Sequence, residues 1–158
     1  MNPIGVVLKI DCNGKRTVRK RPYFIIATAL VAFFIFLSGT SGAQSAEEWL
    51  TRGDASFNEG DFTAALACYT RAIGIDTTNP GAFRKRGSAY GRLELYDEAI
   101  ADFTRAIELS PTDAAAYYGR GINYYSLGQN DLALPDFKAA CELGDELACK
   151  IYGILHRQ

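Results

Sequence analysis

Apolar residues are arranged along this chain in three different ways. From Tyr23 to Leu37 they form an unbroken run, YFIIATALVAFFIFL, without a single charge. Beyond about residue 46 the run gives way to short apolar stretches, in which aromatic, glycine and alanine positions recur at fixed intervals. Near the C-terminus, Leu147, Ala148, Ile151, Ile154 and Leu155 follow helical spacing, which predicts one last helix within Asp145 to Gln158. Gly60, Gly128, Gly144 and the pair Asn79-Pro80 mark turns between the stretches.

The first apolar run is preceded by a basic cluster, Lys15-Arg16-Thr17-Val18-Arg19-Lys20-Arg21, and followed by small residues, Ser38 to Ala43. That order is the grammar of a secretory signal peptide, with Ser41 and Ala43 before the cut and Gln44 as the new N-terminus. Fifteen apolar residues make about 22 Å of helix, short of the roughly 30 Å hydrocarbon core, although extension to Thr40 brings the segment near spanning length. An uncleaved signal anchor is therefore the alternative. Either way the positive flank keeps the N-terminus cytoplasmic and sends the body across the membrane. No Cys follows the run, so a lipid-modified cysteine at the junction is not available. Residues 1–14 carry no targeting chemistry, and Val18 would open a shorter leader, so translation is expected to start later than Met1. Residues 1–43 are read as signal peptide or anchor and residues 44–158 as the folded domain. The expected location is the bacterial periplasm, or the inner membrane if the leader is retained.

Within the domain, Gly53, Gly87 and Gly121 stand 34 residues apart, and three lines fall into register around them. Trp49, Arg52, Gly53, Ala65, Tyr69 and Ala72 form the first. Phe83, Arg86, Gly87, Tyr90, Ala99, Phe103, Ala106 and Pro111 form the second, and Tyr117, Arg120, Gly121, Tyr124, Ala133, Phe137 and Ala140 the third. Thr70-Arg71-Ala72-Ile73 returns as Thr104-Arg105-Ala106-Ile107. This pattern resembles the tetratricopeptide repeat, over about residues 46–143. The resemblance implies a helix-turn-helix per repeat and an all-α, right-handed solenoid with repeats at about 46–79, 80–113 and 114–144. A capping helix at about 145–157, with a polar outer face, closes it. Glycine and alanine suit positions where paired helices approach closely, and the aromatics fill the space between pairs. Each pair buries one face only, so stability comes from stacking.

Three departures from the pattern carry expectations of their own. Ser56 and Thr77 replace the usual Tyr and Pro in the first repeat, as befits an end repeat. Glu94 stands where the other repeats carry Gly60 and Gly128, so that turn must close without glycine. Pro135 falls inside the second helix of repeat three and crowds the carbonyl of Asp131, which predicts a late start or an irregularity between Asn130 and Pro135.

In the resembled family the first helices line a concave groove through positions 2, 5, 9, 12 and 13 of each repeat. Carried onto this chain, these are Glu47, Leu50, Asp54, Phe57 and Asn58 in repeat one. Repeat two supplies Gly81, Arg84, Ser88, Gly91 and Arg92, and repeat three Ala115, Tyr118, Ile122, Tyr125 and Ser126. The resemblance then implies a groove with Arg84 and Arg92 at its centre, an acidic end, and an exposed apolar wall of Tyr118, Ile122 and Tyr125. Such a groove suits a protein or peptide partner bearing a carboxylate. The family's receptors for chaperone tails use a Lys and Asn clamp, whereas the equivalent positions here hold Leu50, Asp54 and Gly119. A self-associating structural protein, using the tyrosine wall, is the alternative.

Cys141 and Cys149 within one helix would lie about 12 Å apart, beyond the roughly 7 Å allowed between disulfide Cα atoms. Leu143-Gly144-Asp145, however, reads as helix end, left-handed cap and next N-cap, and a reversal there brings the flanking turns together. The Cys-x7-Cys pair also resembles bridges in cysteine-rich secreted relatives of the repeat, and an exported chain enters an oxidising space. A disulfide and two buried thiols are both open readings. Cys68 is expected as a packed free thiol.

Composition narrows the functional classes. The chain has 158 residues, 48% hydrophobic and 22% charged, which places it among globular proteins. Its net charge of -1 hides an asymmetry. Six of the 17 Lys and Arg lie in residues 1–43 against one of the 18 acidic residues, leaving 11 against 17, or -6, for residues 44–158. No nucleic-acid footprint is present in that body. His156 is the single imidazole and falls at a helix end, no Gly-rich phosphate loop occurs, and the carboxylates match no metal-loop spacing. No catalytic residue, metal site or cofactor is expected, and membrane contact is expected only through the leader.

Overall fold

The computed structural model describes Val6–Ile10, Arg16–Lys20 and residues 44–157. The chain divides into two compact units, Met1–Gln44 and Ser45–Gln158. In the first, β1 (Val6–Ile10) pairs antiparallel with β2 (Arg16–Lys20), Leu8 opposite Val18. The apolar run from Tyr23 to Leu37 and Cys12 lie outside the described residues. Among the described residues no helix is long and apolar enough to cross a membrane.

The second unit is an all-α helical repeat. It runs α1 (Ala46–Asn58), α2 (Phe62–Ile75), α3 (Pro80–Arg92), α4 (Tyr96–Leu109), α5 (Ala114–Ser126), α6 (Asn130–Glu142) and α7 (Glu146–Leu155). Each helix packs on the next in the chain, and α3 also touches α5. Helix starts are written into the sequence as caps. The side chains of Ser45, Asp61, Asn79, Asp113 and Asp145 each accept the backbone N–H of the residue three positions on. Each such cap contributes about 1 kcal/mol by satisfying an otherwise orphan donor.

The repeating aromatics do two jobs. Tyr69 and Phe137 are fully buried, and Phe103 nearly so. Tyr69 lies against Gly53 of its own repeat, while Phe103 reaches past Gly87 to Gly119 of the next repeat. A methyl group added at Gly119 would stand 2.4 Å from the Phe103 ring, which is why this helix crossing tolerates glycine alone. Ala99, Phe103, Ala106 and Ala116 form one buried cluster, and Ala133, Phe137, Ala140 and Ala148 form its counterpart one repeat later.

A polar ladder joins the stacked pairs, and its acidic half was not singled out from the sequence. Arg86 donates from Nε and Nη2 to both oxygens of Asp102 at 2.7 and 2.8 Å, and from Nη1 to Thr70 at 3.3 Å. Thirty-four residues on, Arg120 repeats the contacts with Asp136 at 2.8 and 2.7 Å and Thr104 at 3.1 Å. Each arginine thereby ties its own repeat to the preceding one. The hydrogen bonds to Asp102 and Asp136 raise both guanidinium pKa values further, against the opposing effect of burial. Repeat one has Cys68 at the aspartate position; its Arg52 lies over the Trp49 ring, as Arg86 and Arg120 lie over Phe83 and Tyr117.

Three expectations are corrected. α6 begins at Asn130 and runs unbroken through Pro135, without a late start. Pro135 is exposed on the sixth helical residue, so it forfeits one hydrogen bond to the carbonyl of exposed Asp131, which water can reach. Cys68 is buried, and no cysteine among the described residues is a free thiol. The exposed side of α7 is not uniformly polar, because Leu147 and Ile154 are 54% and 63% exposed alongside the exposed Glu146 and Lys150. Cys141 and Cys149 are joined by a disulfide, with Cα atoms 4.6 Å apart, because the chain reverses at Gly144 (φ 97°) as its sequence suggests.

The turn without glycine closes at a conformational cost. Glu94 adopts φ 61°, matching Gly60 at 81° and Gly128 at 74°. A side chain in that region costs about 1 kcal/mol. Glu94→Gly is therefore expected to raise stability by about 1 kcal/mol, read as a higher urea midpoint at unchanged m-value, while Glu94→Ala leaves it unchanged.

Candidate functional site

Helices α1, α3 and α5 present a groove that holds two cavities. The first, of about 360 Å³, is lined by Asp54, Phe57, Asn58, Tyr69, Lys85 and Ser88. Asp54 is its hub. Lys85 Nζ lies 2.7 Å from both of its carboxylate oxygens, and the Tyr69 hydroxyl donates to Oδ1 at 2.9 Å. Burial, reinforced by the Asp54 carboxylate, raises the Tyr69 phenol pKa far above its ordinary value. This end of the groove is therefore polar and internally neutralised.

The second cavity, of about 460 Å³, shares Ser88 with the first and lies between α3 and α5. Arg84 and Arg92 supply its charge, and Tyr118, Ile122 and Phe103 its apolar wall. Arg84 Nε is 2.9 Å from Asp113 Oδ2, but its N–H is not aligned on that oxygen, so a buried donor is left unsatisfied at the cavity wall. Arg92 is exposed and stacks over Phe62 at 4.7 Å and Phe57 at 6.0 Å. These rings hold its guanidinium at the mouth of the cavity while leaving its edge open to a carboxylate.

Of the positions carried over from the resembled family, Asp54, Phe57 and Asn58 line the first cavity. Arg84, Ser88, Gly91, Arg92, Ala115, Tyr118, Ile122 and Ser126 line the second. Leu50 does neither, being 6% exposed in the core. Tyr125 lines neither cavity but is half exposed beside them. The apolar wall is less exposed than expected. Tyr118 and Ile122 pack on the buried cluster around Phe137, the Tyr118 ring 6.1 Å from that of Phe137. Burial, and then the charge of Asp145, raise the Tyr118 phenol pKa.

Lys85, Tyr96 and Asn123 line the groove and were not anticipated. Asn123 is buried, donates to the Gly119 carbonyl at 2.6 Å, and sits where a side chain on Gly91 would collide with it. Its place in repeat three is one step from an expected groove position, which is the signal that could have found it. Tyr96 comes from the start of a second helix, a place the first-helix pattern does not reach.

Profiles described as tetratricopeptide repeat match residues 84–148 and 53–94. The second such domain of Spaghetti (RPAP3), solved with the HSP90 peptide SRMEEVD, is 35% identical with a TM-score of 0.62, covering 63% of this chain and 93% of that one. The chain belongs to the tetratricopeptide repeat family. The second tetratricopeptide domain of human RPAP3, solved with the HSP70 peptide SGPTIEEVD, is 31% identical with a TM-score of 0.67, covering 72% of this chain and 96% of that one. MamA is 25% identical with a TM-score of 0.69, covering 80% of this chain and 74% of that one. Among curated sequences, Hsp70-Hsp90 organizing protein 1 of Arabidopsis thaliana is 42% identical over 53 residues. The small glutamine-rich tetratricopeptide repeat-containing protein of Dictyostelium discoideum is 38% identical over the same length. The alignments cover 34% of this chain and only 9% and 16% of those two relatives.

Proposed function

We propose that this tetratricopeptide-repeat chain is a non-catalytic adaptor that binds a protein segment in the groove of α1, α3 and α5. The observation that carries the reading is the second cavity. It pairs an apolar wall with a stacked, exposed Arg92 and with an Arg84 that is ion-paired to Asp113 but keeps an unmatched Nε N–H, in a volume within the range of ligand sites. A segment with an acidic side chain beside an apolar one complements it. Structural relatives solved with bound peptides support a peptide as ligand class.

The chaperone tails bound by those relatives are not the ligand proposed here. Where a clamp for a terminal carboxylate is expected, this chain has Leu50 in the core and Asp54, itself a carboxylate already engaged by Lys85 and Tyr69. With Lys85 already paired to Asp54, that end offers no unengaged cation among its lining residues to hold a terminal acid.

The adaptor is proposed to act in the cell envelope. The basic cluster, apolar run and small-residue segment of residues 15–43 support export, and a disulfide at Cys141–Cys149 suits an oxidising compartment. Intact mass of the protein from an envelope fraction, alkylated before reduction, is expected to show a chain starting near Gln44 with Cys141 and Cys149 unalkylated. A chain retaining Tyr23 to Leu37 would instead make it a membrane-anchored adaptor.

Binding is tested by selecting displayed random linear peptides on the protein and measuring their affinity by fluorescence anisotropy. Arg84→Glu with Arg92→Glu is expected to weaken the selected peptides by at least tenfold at unchanged oligomeric state, since reversal of two groove charges opposes an acidic ligand. Undiminished affinity would remove the groove from the account.

A further inference from the structure

We propose that α7 is a fourth wall of this groove, and that Leu147, Lys150 and Ile154 contact the bound segment through an acidic side chain flanked by apolar ones. The proposal rests on the groove reading above and extends it to a helix that the repeat pattern treats only as a cap.

Its basis is register. α3, α5 and α7 open identically: Asn79, Asp113 and Asp145 accept the N–H groups of Ala82, Ala116 and Ala148. All three alanines are fully buried. Ala148 completes the cluster of Ala133, Phe137 and Ala140 as Ala116 completes that of Ala99, Phe103 and Ala106. The relation to the preceding groove helix is also repeated. Arg84 of α3 lies against Asp113, the cap of α5, and the Tyr118 phenol of α5 feels the charge of Asp145, the cap of α7. α7 therefore repeats the capped start and buried alanine of α3 and α5, and its Ala148 joins the cluster on which Tyr118 and Ile122 of α5 pack.

Gly81 lines neither cavity and Leu50 of α1 lies in the core. The other residues at the second, fifth and ninth helical positions of α3 and α5 line the second cavity: Arg84 and Ser88 in α3, and Ala115, Tyr118 and Ile122 in α5. In α7 these positions hold Leu147, Lys150 and Ile154, which fall on one helix face. All three are exposed, and Leu147 and Ile154 are among the most exposed large apolar side chains of the described residues. Two such residues on one face of a ten-residue helix mark a contact surface rather than a solvated cap. Lys150 between them adds a third cation to Arg92 and to the Asp113-paired Arg84, although residues 44–158 carry a formal charge of -6. The complement is an acidic segment with apolar neighbours.

A second copy of the chain fits the same face poorly. An isologous contact through Leu147 and Ile154 would bring the two Lys150 ammonium groups together at its centre, with like charges opposed. Besides its packing on the Phe137 cluster, α7 is tied by the disulfide from Cys149, at the helical position occupied by Trp49, Phe83 and Tyr117 in the other three groove helices. In those helices the aromatic packs on a following helix, and among the described residues none follows α7.

The test uses the oxidised full-length chain and the tightest of the display-selected peptides. Lys150→Glu, and separately Leu147→Ser with Ile154→Ser, are each expected to weaken that peptide about tenfold, the effect of losing one groove charge or one apolar anchor. Because these side chains are exposed, thermal midpoints should not move. Scanning the acidic positions of the peptide with lysine should find one that restores affinity to Lys150→Glu and to no other variant. If neither α7 variant changes affinity while Arg84→Glu with Arg92→Glu does, the groove ends at α5 and the proposal falls alone. If no variant changes affinity, or no peptide is selected, it falls together with the groove reading. A loss of affinity accompanied by a dimer-to-monomer shift in sedimentation assigns the face to a second copy and overturns it.

Discussion

Phe137→Ala is expected to destabilise the array by about 4 kcal/mol, within the 3–5 kcal/mol typical of emptying a buried phenylalanine site. The ring has no exposed surface and lies at the centre of the cluster formed by Ala133, Ala140 and Ala148. It also supports Tyr118 and Ile122 from beneath, so it joins α5, α6 and α7 at one point. Ala133, Ala140 and Ala148 are too short to refill the cavity, so collapse can come only from the larger side chains at the rim of the cluster, such as Tyr118 and Ile151. Urea denaturation checks the size of the effect. A loss below about 1 kcal/mol would mean that the last repeat adds little to the cooperative unit. Phe137→Leu, which keeps most of the volume, should lose much less.

Asp136→Ala is expected to cost about 3 kcal/mol, because it leaves the Arg120 guanidinium partly buried without its carboxylate. The side chains of Arg120 and Asp136 are 19% and 6% exposed, so water can rescue the orphaned charge only in part. Removing both charges together, as Arg120→Met with Asp136→Leu, should recover most of the loss, since the attraction between buried ions largely offsets their own desolvation. Chemical denaturation of the two singles and the double forms a mutant cycle. Its coupling energy should exceed the value below 1 kcal/mol expected of the exposed Arg105–Glu108 pair. The same substitutions at Arg86 and Asp102 should behave alike, because the geometry recurs 34 residues earlier.

Much of this architecture is local and therefore readable along the chain. Cap residues, glycine and alanine at close crossings, and aromatics at a fixed period each act on neighbours within one repeat. Their recurrence from Gly53 to Gly87 to Gly121 identifies the repeat along the sequence itself. The reversal at Gly144 is equally local, since a left-handed cap followed by Asp145 leaves few other paths for the backbone.

Other features needed tertiary structure because they depend on what a side chain meets. The pairing of Arg86 with Asp102, and of Arg120 with Asp136, joins residues on different helices whose charges look like ordinary solvated ones in sequence. Leu50 and Tyr118 occupy equivalent positions, yet one is core and the other lines a cavity, because packing around them differs. Pro135 leaves its helix intact because it falls on an exposed face. Helical spacing placed Leu147 and Ile154 in an apolar stripe, but spacing names a face without saying what covers it. By itself the sequence determined the period of 34, the helix ends and the turns, since these follow from interactions between residues close along the chain. Only the tertiary structure decided which charges are buried in pairs and which apolar side chains stay exposed, since burial is set by the surfaces that stacking brings together.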